Sequence, residues 1–236
     1  MKRFLLLINS FFLLTITIQS QDQWIVYKPN NSDLRIISIY ALAIDNYGSL
    51  WVGGPLGSIY KFYSGEWTDY SGYGIGGPAI SIAVDSDNNI WSGSQNHGLT
   101  KFDGTTSIVY NTSNSELPHN EVRTVTIDSK GKIWAGTAGG VAIFDGTNWT
   151  VYNTSNSNLP HNHIWTFAED QEGVMWVATS GGLAKSDGTS WQYFNTTNSG
   201  LPNNNVISVA IDKNNDKWIG TLFSGLVRFN NSGWTV

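Results

Sequence analysis

Cysteine is absent from all 236 residues, which excludes disulfides, thiolate metal sites, cysteine nucleophiles and lipidation of an N-terminal cysteine. Positive charge is scarce as well: 13 Lys and Arg against 18 Asp and Glu give a formal net charge of −5. Nowhere do Lys and Arg cluster as nucleic acid or anionic lipid would require, so neither is an expected partner. Only 13% of the residues are charged, whereas Gly numbers 25 and Trp 11. That balance, with abundant Ser, Thr and Asn, points to extended, turn-punctuated structure instead of surface helices. A chain of this length can bury one sizeable all-β core.

Long apolar runs are also missing, apart from Phe4–Ile18 behind Lys2 and Arg3. Interrupted by Asn9 and Ser10, that run is short for a bilayer anchor and reads as a secretory signal peptide over residues 1–20. The expected product is exported, periplasmic or extracellular, with no membrane span after cleavage at Ser20.

What is present is a repeat. One Trp series falls at Trp51, Trp91, Trp134, Trp176 and Trp218, spaced by 40, 43, 42 and 42 residues. An Asp series, Asp45, Asp85, Asp128, Asp170 and Asp212, precedes it by six residues every time. A second Trp series runs through Trp24, Trp67, Trp149, Trp191 and Trp234, with Ser107 in the one slot lacking Trp. Units near 24–66, 67–106, 107–148, 149–190 and 191–233 therefore fill residues 21–236, and 234–236 begins a further one.

Inside a unit the pattern has period two. In "VRTVTID" (122–128), Val122, Thr124 and Thr126 alternate with Arg123, Val125 and Ile127, as in a strand sandwiched between neighbouring sheets. "IWAGT", "GVAIFD" and "WTVYN" supply three more strands. Four short strands in about 42 residues make the unit of a β-propeller blade. Between Asp and Trp the fourth position is Gly48, Asn88, Gly131, Gly173 or Asn215, the two residue types that tolerate the left-handed backbone of a hairpin turn. The five Asp are spread one per unit, which favours turn acceptors over metal ligands or acids, and no cofactor or metal is expected. The first Trp series is expected to wedge between adjacent blades, the alternative being a row of sugar-stacking platforms.

The nearly identical stretches 103–120, 145–162 and 187–204 carry a turn, an outermost strand and the crossing to the next innermost strand. Repetition there is a seam, in which Asn, Ser and Thr satisfy their own backbone and Leu-Pro fixes an extended bend. His119 and His161 occupy equivalent seam slots, which explains them better than chemistry does.

The lines "IWAGTAGGVAIFD" (133–145), "MWVATSGGLAKSD" (175–187) and "KWIGTLFSGLVRFN" (217–230) resemble the two-component regulator propeller repeat. Departures are scattered: Ala178 stands in a Gly slot, "WSGS" replaces the Gly-Thr pair, and Ser186 replaces an aromatic. The resemblance implies an all-β, extracytoplasmic propeller of four-stranded antiparallel blades, of a kind that forms the sensory part of hybrid histidine kinases responding to glycans. About five blades are visible. Trp24–Tyr27 reads as an outer strand without its three inner partners, and Trp234 begins another. Two candidates for one edge position predict a partial or truncated form of a larger propeller of six to eight blades, five-bladed closure being the alternative.

Residues that break a repeat are better functional candidates than those that keep it. Five positions before each Asp the chain reads Tyr40, Ile80, Arg123, Trp165 and Ile207; two earlier it reads Ser38, Pro78, Glu121, His163 and Asn205. Loops add Gln95, Asn96, His97 and Phe223. Tyr40 and Trp165 are candidates to stack on a sugar, with Arg123, Glu121, His163 and His97 hydrogen-bonding and Phe223 nearby. No carboxylate pair stands out as acid and nucleophile. The expected function is non-catalytic ligand sensing or binding, an oligosaccharide or another extracytoplasmic protein being the partner. A secreted scaffold for surface assembly is the second reading, and a propeller lyase or glycosidase the third.

Overall fold

The computed structural model describes residues 25–230 and 232–236. The expected signal peptide and Trp24 lie outside the described residues. Five antiparallel four-stranded sheets follow one another along the chain. The first is β1 (Ala41–Ile44), β2 (Leu50–Gly53), β3 (Ile59–Tyr63) and β4 (Glu66–Asp69). The second is β5 (Ala79–Val84), β6 (Ile90–Ser94), β7 (Leu99–Phe102) and β8 (Ser107–Tyr110). Then come β9 (Val122–Ile127), β10 (Ile133–Thr137), β11 (Gly140–Phe144) and β12 (Trp149–Tyr152). The fourth is β13 (Ile164–Glu169), β14 (Met175–Thr179), β15 (Gly182–Ser186) and β16 (Trp191–Phe194). The last is β17 (Val206–Ile211), β18 (Lys217–Thr221), β19 (Leu226–Asn230) and β20 (Gly233–Thr235). The first strands of successive sheets pack on one another, β1 on β5, β5 on β9, β9 on β13 and β13 on β17. They are the inner strands of propeller blades, and the expected fold class is the one observed.

The Asp and Trp series prove to be one device. Asp128 Oδ1 accepts from the amides of Lys130 and Lys132 at 3.0 and 2.8 Å, while Oδ2 accepts from Trp134 Nε1 at 2.9 Å. The same clasp recurs at Asp45, Asp85, Asp170 and Asp212, with indole distances of 3.0, 2.9, 2.7 and 3.0 Å. Each Asp thus closes its own hairpin and fixes its indole, which in the first four blades fills the gap to the next blade. The turn position is left-handed in every copy, with φ of 80° at Gly48, 63° at Asn88, 80° at Gly131, 75° at Gly173 and 65° at Asn215. Trp51, Trp91, Trp134 and Trp176 are at most 4% exposed. Removing one such indole would cost roughly 3–5 kcal/mol.

The seam also behaves as its composition requires. Asn114 Oδ1 accepts from Asn111 N while its Nδ2 donates to Val109 O, both at 2.8 Å. Asn156 and Asn198 repeat the bridge, and each seam buries its Leu: Leu117, Leu159 and Leu201. His119 Nδ1 and His161 Nδ1 accept from the amides of Glu121 and His163, both at 2.9 Å, so these histidines are seam residues.

Two expectations need correction. Strict alternation fails in the inner strands, because the register shifts between Ala79 and Ser81, between Val122 and Thr124, between Ile164 and Thr166, and between Val206 and Ser208. Each shift is a β-bulge. It turns Val122 and Val125 both into the gap between blades, although their spacing would place them on opposite faces. Second, Ile25–Tyr27 form no strand and join none of the five described sheets. Their seam is nevertheless in place. Asn31 Oδ1 accepts from Lys28 N at 2.8 Å and Leu34 is buried. The Tyr27 ring sits 5.1 Å from Phe62 and 5.6 Å from Trp67, as Tyr110 sits on Phe144 and Trp149.

The Ser186 departure changes packing locally. Phe62, Phe102, Phe144 and Phe229 hold that slot in the other blades. With Ser there, Trp191 turns inward to 8% exposure and lies 5.2 Å from the Tyr152 ring.

Candidate functional site

The bulge decides which side chains reach the mouth of the propeller. The residue carried on it in blades two to five is Ile80, Arg123, Trp165 or Ile207, and Tyr40 holds the equivalent place just before β1. A bulged residue lies outside the ladder's alternation, so its side chain is aimed away from the packed gap. Three candidates read from the sequence, Tyr40, Arg123 and Trp165, therefore share one repeat position, which is a bulge for the last two.

Tyr40, Pro78, Ile80, Gln95, Glu121 and Arg123 together line an open depression of about 300 Å3 spanning the first three blades. Tyr40 is 49% exposed and supplies its flat apolar wall. Arg123 forms an ion pair with Glu121 and lays its guanidinium 4.9 Å from the centre of the Trp165 ring. Its Nε is buried without a hydrogen-bond partner. Trp165 is fixed in turn by its Nε1, which donates to Ser180 Oγ at 3.0 Å. His163 meets the Trp165 ring edge-on at 4.6 Å, with Nδ1 3.2 Å from the same Ser180 hydroxyl. Burial, reinforced by the nearby Arg123 charge, pushes His163 below the usual imidazole range, so it is neutral at pH 7.

Trp165 thus does not offer the free stacking face expected of it, because a cation already covers that ring. It positions Arg123, and Tyr40 is the open aromatic platform. Ser180 was not legible as a site residue; its only signal is its place in the loop between β14 and β15, where blade three has Ala138. His97 and Phe223 lie outside the depression. His97 packs against Gly76 and Gly77 and pairs with Asn96 Oδ1 at 2.6 Å. Phe223 is 95% exposed on a left-handed backbone with φ of 64°. Among the described residues no three His, Asp or Glu side chains converge as a metal site, and no helix is long and apolar enough to cross a membrane.

Four-stranded blades around an axis, joined by repeated seams and opening on a bulge-lined mouth, define a β-propeller. The model of the two-component regulator propeller family matches residues 116–139 and 158–181, the seam-to-loop stretches of blades three and four. No curated protein matches the chain. Among solved structures it is similar to the extracellular domain of BT3049 from B. thetaiotaomicron, described as a hybrid two component system, at 24% identity and a TM-score of 0.52. That match covers 83% of this chain and 33% of the other, so the chain spans about a third of its length. Virginiamycin B lyase from Staphylococcus aureus is similar at 13% identity and a TM-score of 0.69, over 84% of this chain and 68% of that one. An ancestral GH74 enzyme follows at 14% identity and 0.60, over 84% and 32%. These likenesses share a fold across a two component system's extracellular domain and enzymes, and the fold alone does not choose between them.

Proposed function

We propose that the chain is an extracytoplasmic, non-catalytic binding propeller of two-component sensor type, and that it takes an oligosaccharide at the depression around Tyr40 and Arg123. The reading rests on one observation: an arginine held by an ion pair and an aromatic face, with an unpaired buried Nε, beside an open tyrosine ring. Sugars are bound by such a pairing of a flat apolar wall with fixed donors. The signal peptide expected over residues 1–20 and the two repeats that the family model matches favour the extracytoplasmic setting.

Calorimetry against a panel of neutral and acidic oligosaccharides tests it. Tyr40→Ala and Arg123→Met should each abolish binding while the melting temperature of the free protein holds. An absence of binding across the panel would sink the reading. Turnover of a bound glycan, lost in Glu121→Gln or His163→Ala, would replace binding by catalysis. The second reading, a protein-interaction scaffold, is favoured by Leu56 and Phe223, which stand 91% and 95% exposed at loop tips. A pull-down whose partner is lost in Phe223→Ser, with no glycan binding, would select it.

A further inference from the structure

Blade four fills one ring position and vacates another. In blade three Phe144 lies 6.0 Å from Trp91 and 5.5 Å from Tyr110 of the preceding blade, and Trp149 stacks on it at 4.6 Å. Blade five repeats the stack, with Trp234 on Phe229 at 4.4 Å. In blade four Ser186 stands in the Phe slot, and Trp191 takes over that slot's contacts, 6.3 Å from Trp134 and 5.2 Å from Tyr152. The turn after Ser186 follows it inward. Tyr152 OH donates to Gly188 O at 2.9 Å, and a Cβ on Gly188 would meet Trp134 at 4.0 Å, where one on Gly104 or Gly146 would meet nothing. The place that an outer indole holds in blades three and five is therefore given up.

An open depression of about 420 Å3 lies there, between Tyr152, Asn156 and Asn158 on one side and Thr189 and Trp191 on the other. A second, of about 350 Å3, continues from the shared Ser157 and Asn158 to Tyr193 and Asn195. Blades three and four each have a blade packed on both sides, so this groove belongs to a complete blade boundary. Tyr193 is 39% exposed and stands where blades two, three and five carry Val. No charged side chain lines either depression. What lines them besides the rings is amide and hydroxyl. Asn158 Nδ2 donates to Trp191 O at 3.3 Å, which leaves its Oδ1 to accept. Thr189 bonds Asp187 through its amide, which leaves its hydroxyl for a ligand. Trp191 Nε1 is buried without a hydrogen-bond partner.

We propose that this groove on the rim of the propeller is a second binding site, which takes an uncharged oligosaccharide. One sugar ring lies on Tyr193, and another enters the place given up by Trp191, beside Tyr152. Flat apolar rings set among amides and hydroxyls match the apolar faces and hydroxyl edges of a neutral sugar. A charged ligand would find no counter-charge there. Two joined depressions fit a chain of sugars better than a single ring. The site is separate from the mouth around Tyr40 and Arg123 and does not depend on it.

Calorimetry in a Tyr40→Ala background, where the platform at the mouth is gone, reads the rim alone. The probes are cellohexaose, maltohexaose, xylohexaose and mannohexaose, with hexagalacturonate as the charged comparison. The proposal expects at least one neutral hexaose to bind, and its disaccharide to bind about tenfold more weakly. Tyr193→Val installs the residue other blades carry and should weaken binding by about tenfold, with circular dichroism unchanged. Ser186→Phe should return Trp191 to the outer position, close the depression and abolish binding. Failure of every neutral hexaose to bind overturns the proposal, as does tighter binding of hexagalacturonate. An affinity unchanged by Tyr193→Val or by Ser186→Phe overturns it as well. Binding seen only with Tyr40 intact would support the mouth and reject the rim.

Discussion

Asp170 differs from the other clasping aspartates in a way that stability measurements can resolve. Its Oδ2 lies 2.7 Å from Trp176 Nε1 and 3.2 Å from Nζ of Lys217, which belongs to the next blade. The two charged side chains are 5% and 10% exposed, and the ammonium sits 5.3 Å from the Trp176 ring. Asp128 clasps Trp134 in the same manner, but the corresponding residue of the next blade is Met175. Asp170→Ala leaves an indole N–H unpaired and a buried ammonium without its counter-ion, bonded to the Asn215 carbonyl alone, a loss of about 3–5 kcal/mol. Asp128→Ala leaves only donors of ordinary strength unpaired and should cost roughly 1–3 kcal/mol. In the Asp170→Ala background, Lys217→Met should recover about 2 kcal/mol, because it removes the stranded charge. The assay is urea unfolding followed by tryptophan fluorescence, with melting temperature as a second readout; Asp170→Ala should fall by roughly 10 °C. If the Asp170 and Lys217 substitutions simply add, the clasp does not couple the blades and this reasoning fails.

Three further outcomes are expected. Burial pushes Asp45 up, but the bonds from Trp51, Ser49, Lys61 and Tyr47 outweigh it and hold the carboxyl at about 2; since that lies below its unfolded value, about 2 kcal/mol of stability is present above pH ~4 and lost as pH falls toward ~2, a decline that acid titration of Asp45→Asn should lack. Ser186→Phe restores the ring other blades carry, but Trp191 already fills the space, so a loss of about 1–3 kcal/mol is expected with red-shifted indole emission; a gain in stability would show that Trp191 moves freely. Gly93→Ala drives a Cβ against the Val122 carbonyl and should cost about 1–3 kcal/mol, whereas Gly220→Ala meets only a rotatable hydroxyl and should shift the denaturation midpoint far less.

The architecture could be read from the sequence because its determinants are local and repeated. Asp at six residues before Trp and Gly or Asn at the turn act within one hairpin and recur five times, and Leu-Pro marks three of the seams, so the period was plain. That the Asp holds the Trp was not visible, since spacing shows that two residues recur together and not that they touch. The bulge was missed for a related reason. "VRTVTI" alternates as written, and only the partner strand reveals that Arg123 stands outside the ladder. The bulge-borne residues drew attention because they vary where the repeat does not. His97 and Phe223 were misplaced because a loop's direction depends on what it packs against, here Gly76 and Gly77 for His97. The inward turn of Trp191 was hidden because a missing ring leaves space that a neighbour's rotamer, not the sequence, decides how to use.

One extra residue per inner strand frees a side chain from the duty of filling the interior. Val122 and Val125 keep the hydrophobic contacts whichever residue stands between them, so Arg could become Ile or Tyr there without loosening the wheel. A scaffold of this kind can exchange what it recognises while its stability stays constant, and grafting another blade's residue onto position 123 or 165 is the direct way to redirect it.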